Sequence, residues 1–367
     1  MARTIGTSSF GLRAPIIREG DDIAQIVTDT VLNCGIELRD RDIVGITESV
    51  VARAQGNYVT VDEVAEDIKR LSNNAEVISV MYPIFSRNRF AMILKAIARA
   101  AGRKVVVYVK PIDEVGNPLR NHPFTGMNYD EYYKSLIEGE GKEAAIVVKS
   151  LFNGSDEVIG EVKNAALDFS CKIDCRMYSS IVHNPLEDAN FSIVDICKDK
   201  CDFGLHGSNK SSEEKLKLFP TKAFGQEVVE KVQKNVLEAT GKKIEVLVYG
   251  DGCYKDPSPE ASIWEFFDPV VSPAYTSGLE GTPNEIKIKN FADDKYKDLS
   301  GEELNEAIKQ EIRTKDANLV GTFTSQGTTP RKYTNLLGSL CDLMSGSGDK
   351  ATPFILIQGY FDNMSNE

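Results

Sequence analysis

The strongest chemical signal in the chain is Val246-Leu-Val-Tyr-Gly-Asp-Gly-Cys253, an apolar strand-like run that delivers a carboxylate between two glycines. Ligands of open α/β sheets collect beyond the carboxyl ends of strands, and an acid there can hold a hard divalent cation bridging phosphate oxygens. The glycines beside Asp251 let a ligand approach the backbone. The same residues also make an ordinary Asp-Gly turn, and spacing alone leaves both readings open. Upstream, Gly204-Leu-His-Gly-Ser-Asn-Lys-Ser-Ser212 offers amides, hydroxyls and Lys210 to an anion. It lacks the Gly-x-x-x-x-Gly-Lys-[Ser/Thr] pattern of a phosphate-binding loop, and a plain turn explains it equally. Met344-Ser-Gly-Ser-Gly-Asp349 can present several amides to a nucleotide or simply end a helix. The threonine-rich stretch from Gly321 to Arg331 fits either an anion at a helix N-terminus or capping by Thr329.

Other reactive side chains carry weaker signals. Cys171-x-x-x-Cys175 and Cys197-x-x-x-Cys201 are similarly spaced thiol pairs, which would suit zinc, but no knuckle glycines accompany them and cysteine is often just a small buried residue. His122, His183 and His206 form no local ligand pair; His206 stands out by adjoining the polar loop. Trp264 reads as a packing aromatic, with stacking on a ring system as the alternative.

The elements that must position these residues alternate between helical and strand patterns. Asp22 to Leu32 predicts a short helix after a loop around Gly11 to Gly20, and Asp42 to Thr47 a strand. Thr60 and Glu63 form a capping box for a helix with Val61, Val64, Ala65, Ile68 and Leu71 on one face. Ser86 is placed to cap a helix carrying Phe90, Ile93, Leu94 and Ile97, which stops at Gly102 before the strand Lys104 to Val109. Ala144 to Val148 and Phe191 to Ile196 read as strands, and Asn117 to Tyr133 as a long surface excursion. A helix from Gln226 to Ala239 leads into the strand Ile244 to Tyr249. Ser300 and Glu303 suggest another capping box, and Pro330 opens a last helix before the strand Phe354 to Ile357.

This alternation predicts an α/β (α+β) protein with no internal repeat. The least regular stretches, 110–130 and 252–300, read as inserted loops as readily as linkers. At 367 residues the chain is long enough for a sizeable core without metal or disulfide staples. Its 43 basic and 55 acidic residues give a net charge of −12, and the absence of basic runs argues against a broad nucleic-acid face. No apolar run approaches a membrane span and no targeting segment is visible; seven scattered cysteines fit reduced thiols, and the expected location is cytoplasmic.

Taken in order, these pieces resemble the coenzyme F-420 gamma-glutamyl ligase family over most of the chain. Ala14-Pro-Ile-Ile-Arg-Glu-Gly-Asp-Asp22 is similar to its nucleotide loop, and Asp42 to Gly56 to its strand and Ile-Val-Ser-Lys-Ala-Glu-Gly segment, with Arg53 where the family has lysine. The loop 204–212, the strand ending at Asp251 and the tail from Leu336 to Gly359 follow in family order. The resemblance implies one intertwined ligase-like domain over 1–367, with long insertions near 110–200 and 255–320. It implies a homodimer that uses GTP (or ATP) and magnesium or manganese to join L-glutamate to a carboxylated small-molecule acceptor, deazaflavin-like or folate-like, through an acyl phosphate.

Carried over by resemblance, Asp251 is a metal ligand and, with Arg53, catalytic. Pro15, Ile16, Ile17, Arg18, Glu48, Arg53, Ser212, Met344, Ser345, Gly346 and Ser347 hold the nucleotide. The chain departs from the pattern at Asn209, which stands where the family has a metal-binding aspartate and binds a cation less strongly, and at Asn335, where the family has an acid. Gly252 follows Asp251 in place of a hydroxyl residue, and Ser211-Ser212 replaces a Ser-Asn pair. The alternative reading is a non-catalytic nucleotide- or cofactor-binding protein on the same fold.

Overall fold

The computed structural model describes residues 5–82, 87–109, 120–122, 124–148, 181–184, 189–193, 195–251, 270–319, 321–325, 331–346 and 348–366. They form an α/β protein, as the alternating pattern predicts, divided into two compact units. The first comprises Met1–Ala54 and Lys222–Glu367, the second Gln55–Thr221.

The first unit is built on a five-stranded mixed sheet in the order β1-β13-β2-β11-β12: Ser8–Leu12, Phe354–Gln358, Ile43–Thr47, Glu245–Asp251 and Val270–Tyr275. β2 and β11 run parallel, and the other neighbouring pairs are antiparallel. Side chains alternate across the pleat. Val44, Ile46, Val246, Val248 and Leu356 pack with Val27 and Val31 of α1 (Ile23–Leu32) and with Val228 and Val232 of the helix Lys222–Thr240. Ile43, Leu247, Tyr249, Ile355 and Ile357 pack with Leu337 and Cys341 of the final helix, Tyr333–Met344, on the other face. Each such Val, Ile or Leu, wholly withdrawn from water, contributes roughly 1.5–3 kcal/mol.

The second unit carries a five-stranded sheet in the order β6-β5-β4-β7-β8: Glu143–Val148, Lys104–Val109 and Val77–Tyr82 are parallel, and Ile181–Asn184 and Ala189–Ser192 join antiparallel. Helices Val61–Leu71, Arg87–Ala100 and Tyr129–Gly139 belong to it, as does a small sheet of Tyr58–Thr60 (β3), Lys215–Lys217 (β10) and Asn209–Ser212 (β9). The capping box at Thr60 and Glu63 forms as its sequence predicts.

Several expectations need correction. Gly11 lies within β1, not in the loop that follows it. The strand Val77–Tyr82 has no counterpart in the sequence reading, and Val270–Tyr275 lies in a stretch taken as irregular. The latter carries Pro273 on an edge strand where the register with β11 shifts, a position that tolerates the missing amide. The surface excursion ends in a helix: Asn128 accepts bonds from the amides of Asp130 and Glu131, and Tyr129, Tyr133 and Ile137 are buried at four-residue spacing. Ser300 precedes the helix Gly301–Thr314 but makes no side-chain cap bond. Ser86, Thr329, Pro330, Trp264, Cys171 and Cys175 lie outside the described residues.

Candidate functional site

The register of the first unit's sheet brings most of the sequence-predicted site to one edge. Because β2 and β11 are parallel, with Thr47 opposite Tyr249, the segments leaving them at Glu48 and Asp251 emerge side by side. β13 runs the other way and pairs Phe354 with Ile46, so the bend that precedes it lies at that same edge. β1 pairs Leu12 with Phe354, so the loop from Arg13 onward leaves there too. With neighbouring strands about 4.8 Å apart, the four segments span roughly 15 Å.

Backbone hydrogen bonds fasten these segments together. The Ala14 amide donates to the Ala351 carbonyl (3.0 Å), and the Thr47 amide to the Pro353 carbonyl (3.1 Å). Gly346 and Thr352 exchange two bonds, at 3.2 and 2.7 Å, closing the Ser-Gly bend on itself. A Cβ on Gly346 would lie 2.6 Å from Cβ of Lys350, so the bend is tight enough to require glycine there. The Gly20 amide donates to the Ala54 carbonyl (2.9 Å). The loop that starts at Arg13 is therefore fixed at one end to the bend and at the other to α2 (Glu48–Gln55).

α2 starts directly at the end of β2, so its first-turn amides open at the sheet edge. Glu48, in that turn, is buried. Arg53 lies five residues on, about 7.5 Å along the axis, beside the Gly20 fastening, and its side chain is exposed. In the loop, Ile17 is buried in the core, whereas Pro15, Ile16 and Arg18 are exposed; the Arg18 amide donates to Asp21 at 2.6 Å. Met344 is exposed, Ser345 and Gly346 half-buried, and Ser347 lies outside the described residues.

Asp251 is the last residue of β11, paired with Val270 on β12. Arg13, Arg18, Arg53 and Lys350 are exposed on these segments, and none makes an ion pair with another described residue. The same segments carry Glu19, Glu48, Asp251 and Asp349, so this edge is of mixed charge; its exposed cations and amide donors can meet phosphate oxygens, and its carboxylates a cation.

Tyr249 carries no strong signal in the sequence beyond being a strand residue, yet it lies under this edge. Its hydroxyl is buried near those of Thr47 and Ser345 without a well-formed bond to either, and burial pushes its pKa well above the usual phenol value. An apolar strand ending in Tyr-Gly-Asp is the only clue the sequence offers.

Asn209 and Ser212 belong to the second unit, at the two ends of β9. Asn209 is half-buried, and its Oδ1 faces Nη2 of the buried Arg89 at 3.5 Å; a guanidinium there opposes a second cation. Arg89 also donates through Nε to the Ser208 carbonyl. His206 is buried, its ring edge-on to Phe219 at 6.4 Å, and burial with help from Arg89 pushes its pKa down to about 4. It is therefore neutral at pH 7. Asn335, at the start of the last helix in the first unit, is buried, and its Nδ2 has no hydrogen-bond partner among the described residues.

Cys197 and Cys201 are buried thiols. Burial, reinforced by Asp67, pushes Cys197 up to about 12, and the Cys201 thiol donates to the Phe219 carbonyl at 3.5 Å. Among the described residues, no three His, Cys, Asp or Glu side chains gather to hold a metal, and no helix is long and apolar enough to cross a membrane.

The sequence model of the family described as F420-0:Gamma-glutamyl ligase matches residues 11–359. A Coenzyme F420:L-glutamate ligase of Methanothermobacter thermautotrophicus is 34% identical over 61 residues, 16% of this chain and 24% of that protein. The matched stretch thus spans about a quarter of that relative's length. With nearly its whole length matched, and its loops gathered as described, the chain belongs to the F420-0:Gamma-glutamyl ligase family.

Proposed function

We propose that the protein is a nucleotide-dependent amide ligase that adds L-glutamate to a carboxylated small metabolite, deazaflavin-like or folate-like, with GTP (or ATP) as the phosphoryl donor. The observation that carries this reading is the gathering of the Arg13–Gly20 loop, α2, the end of β11 and the bend before β13, with their exposed arginines and backbone amides, at one end of the sheet. Membership of the gamma-glutamyl ligase family supports the glutamate part.

In this reading Arg18 and Arg53 neutralise phosphate charge while amides of the loop, the first turn of α2 and the bend orient the chain of phosphates. The acceptor carboxylate takes the terminal phosphoryl group, becoming an acyl phosphate. The neutral amine of glutamate then displaces phosphate, forming the amide. Positioning and charge neutralisation dominate such transfer, so no covalent nucleophile is required of the protein. The described residues do not make a closed metal cage. Asp251 would be the protein carboxylate that holds magnesium or manganese, which would supply neutralisation of phosphate charge. The assembly expected from the family is a homodimer.

Purified protein incubated with GTP or ATP, glutamate, magnesium or manganese and a panel of deazaflavin and folate acceptors should release nucleoside diphosphate only with the right acceptor, which gains one glutamyl mass. Arg53→Ala should weaken nucleotide binding about tenfold or more, as loss of a charge-assisted hydrogen bond does. Asp251→Asn should abolish turnover. Nucleotide binding without turnover for any acceptor, indifferent to Asp251→Asn, would instead favour a non-catalytic binding protein.

A further inference from the structure

Tyr249 lies directly under the site, and the reaction above makes no use of it. It faces the final helix from β11, among Ile43, Leu247, Leu337, Cys341 and Ile355, and is only 1% exposed. Thr47 stands opposite it in the parallel pair of β2 and β11, so the two side chains share one face of the sheet, on strands about 4.8 Å apart. Gly45 leaves room for the ring: a Cβ there would lie 3.4 Å from it and 2.3 Å from Sγ of Cys341.

Backbone bonds bring Ser345 to the same place. Its amide donates to the Cys341 carbonyl at 2.8 Å, which sets it one helical turn beyond the thiol that abuts Gly45. Its neighbour Gly346 is bonded twice to Thr352, and Pro353, next along, accepts the Thr47 amide at 3.1 Å. Thr47, Tyr249 and Ser345 therefore meet where the bend joins the sheet edge.

The hydroxyls of these three residues are complementary but not joined. That of Tyr249 is buried and makes no hydrogen bond with a described residue. Burial keeps it protonated, so it is a donor whose oxygen can also accept. Ser345 Oγ donates its proton to the Asp342 carbonyl at 3.1 Å, which leaves its oxygen as an acceptor. A buried phenol without a bond is destabilising relative to phenylalanine, which would fill the same apolar space. The bend itself is held rather than relaxed: Ala351, whose carbonyl takes the Ala14 amide, has a φ of +53°, which residues with a Cβ rarely adopt.

We propose that Tyr249 is a positioning residue for the phosphates: as the amides of the bend take up a polyphosphate, Ser345 closes onto the phenol, which then donates to Ser345 Oγ and accepts from the Thr47 hydroxyl. This rests on the nucleotide reading above. The phenol touches no substrate. Its bonds form with binding, so they tighten the hold on the nucleotide and fix the bend relative to β2 and to α2, which starts at the residue after Thr47.

The test compares Tyr249→Phe and Ser345→Ala, singly and together in the full chain, with the unsubstituted protein. Binding of GTP and of ATP with magnesium is measured by titration calorimetry, and unfolding by urea without nucleotide. Tyr249→Phe should leave the nucleotide-free protein at least as stable as before, yet weaken nucleotide binding roughly tenfold. With Ser345 already alanine, the same substitution should weaken binding only about twofold further. Unaltered binding overturns the proposal, as does strict additivity of the two substitutions. Lower stability of the nucleotide-free Tyr249→Phe variant also overturns it, because the phenol would then be bonded without nucleotide. If the unsubstituted protein binds neither GTP nor ATP, the nucleotide reading falls and this inference with it; if it binds one of them and Tyr249→Phe binds it equally well, this inference alone falls.

Discussion

At the scale of single residues, close packing against backbone decides several positions that chemistry does not. Gly45 lies in the middle of β2, where the final helix crosses the sheet. A Cβ there would lie 2.3 Å from Sγ of Cys341 and 3.4 Å from the Tyr249 ring. Strand and helix can approach this closely only because the side chain is missing. Gly45→Ala is expected to destabilise by about 1–3 kcal/mol, as overpacking does. Cys341→Ala removes the nearest atom, so the double variant should lose less than the sum of the two single losses, a coupling that denaturant titration of all four proteins measures. Gly207 is more severely constrained: its φ is +73°, and a Cβ would lie 2.2 Å from the Phe219 ring. Here the backbone conformation adds to the clash, so relieving Phe219 alone cannot rescue a substitution.

At the scale of elements, one guanidinium joins segments distant in sequence within the second unit. Arg99, near the end of the helix Arg87–Ala100, forms a two-pronged pair with Glu140 at 3.0 and 3.1 Å. Its Nη1 also donates to Asp62 and to Glu214, both at 2.8 Å. The three carboxylates hold its pKa above the usual arginine value. Lysine keeps the charge but not the fork, so Arg99→Lys should cost about 1–2 kcal/mol, less at high salt; denaturation at low and high ionic strength reads both. This network was not legible in the sequence, where its partners lie 37, 41 and 115 residues away. What was legible had short range. The capping box at Thr60, the apolar strand ending at Asp251 and the helix before it follow from local spacing. The strand Val77–Tyr82 was missed although Ser72-Asn73-Asn74, whose two asparagines take positive φ, marks a turn ahead of it, and Val270–Tyr275 because its proline imitates a loop. The order of site segments could be read along the chain. Their gathering depends on the antiparallel insertion of β13 beside β2, a pairing more than three hundred residues apart that no local pattern encodes.

At the scale of the whole molecule, the second unit is inserted in the first, and its two ends meet. The Gln55 side chain receives the Thr221 amide at 3.0 Å and donates to the Thr221 hydroxyl at 2.7 Å, so residues 55 and 221 stand side by side. An insert with adjacent ends adds little closure entropy to its host and can carry its own stability. Titration should expose that independence. His206, buried in the second unit, has its pKa lowered from about 6.5 to about 4 by burial and by Arg89. The unfolded chain therefore takes up a proton that the folded unit refuses: stability is unaffected above pH 6.5 and falls steadily between 6.5 and 4, by up to about 3 kcal/mol. Carboxylates such as Glu63, held down to about 2 by Lys200 and the Thr60 amide, lose their contribution only as pH falls from about 4.5 toward 2. Acid unfolding should then proceed in two stages, the second unit weakening first. Hydrogen exchange at pH 5 should show Phe219 and its neighbours losing protection while the core of Val44 and Val246 keeps it. His206→Gln, unable to titrate, should abolish the difference between pH 5 and pH 7 in the second unit, whatever it costs at neutral pH. One cooperative loss across both units, unaltered by that substitution, would mean that the two are energetically a single body and that the histidine does not govern acid stability.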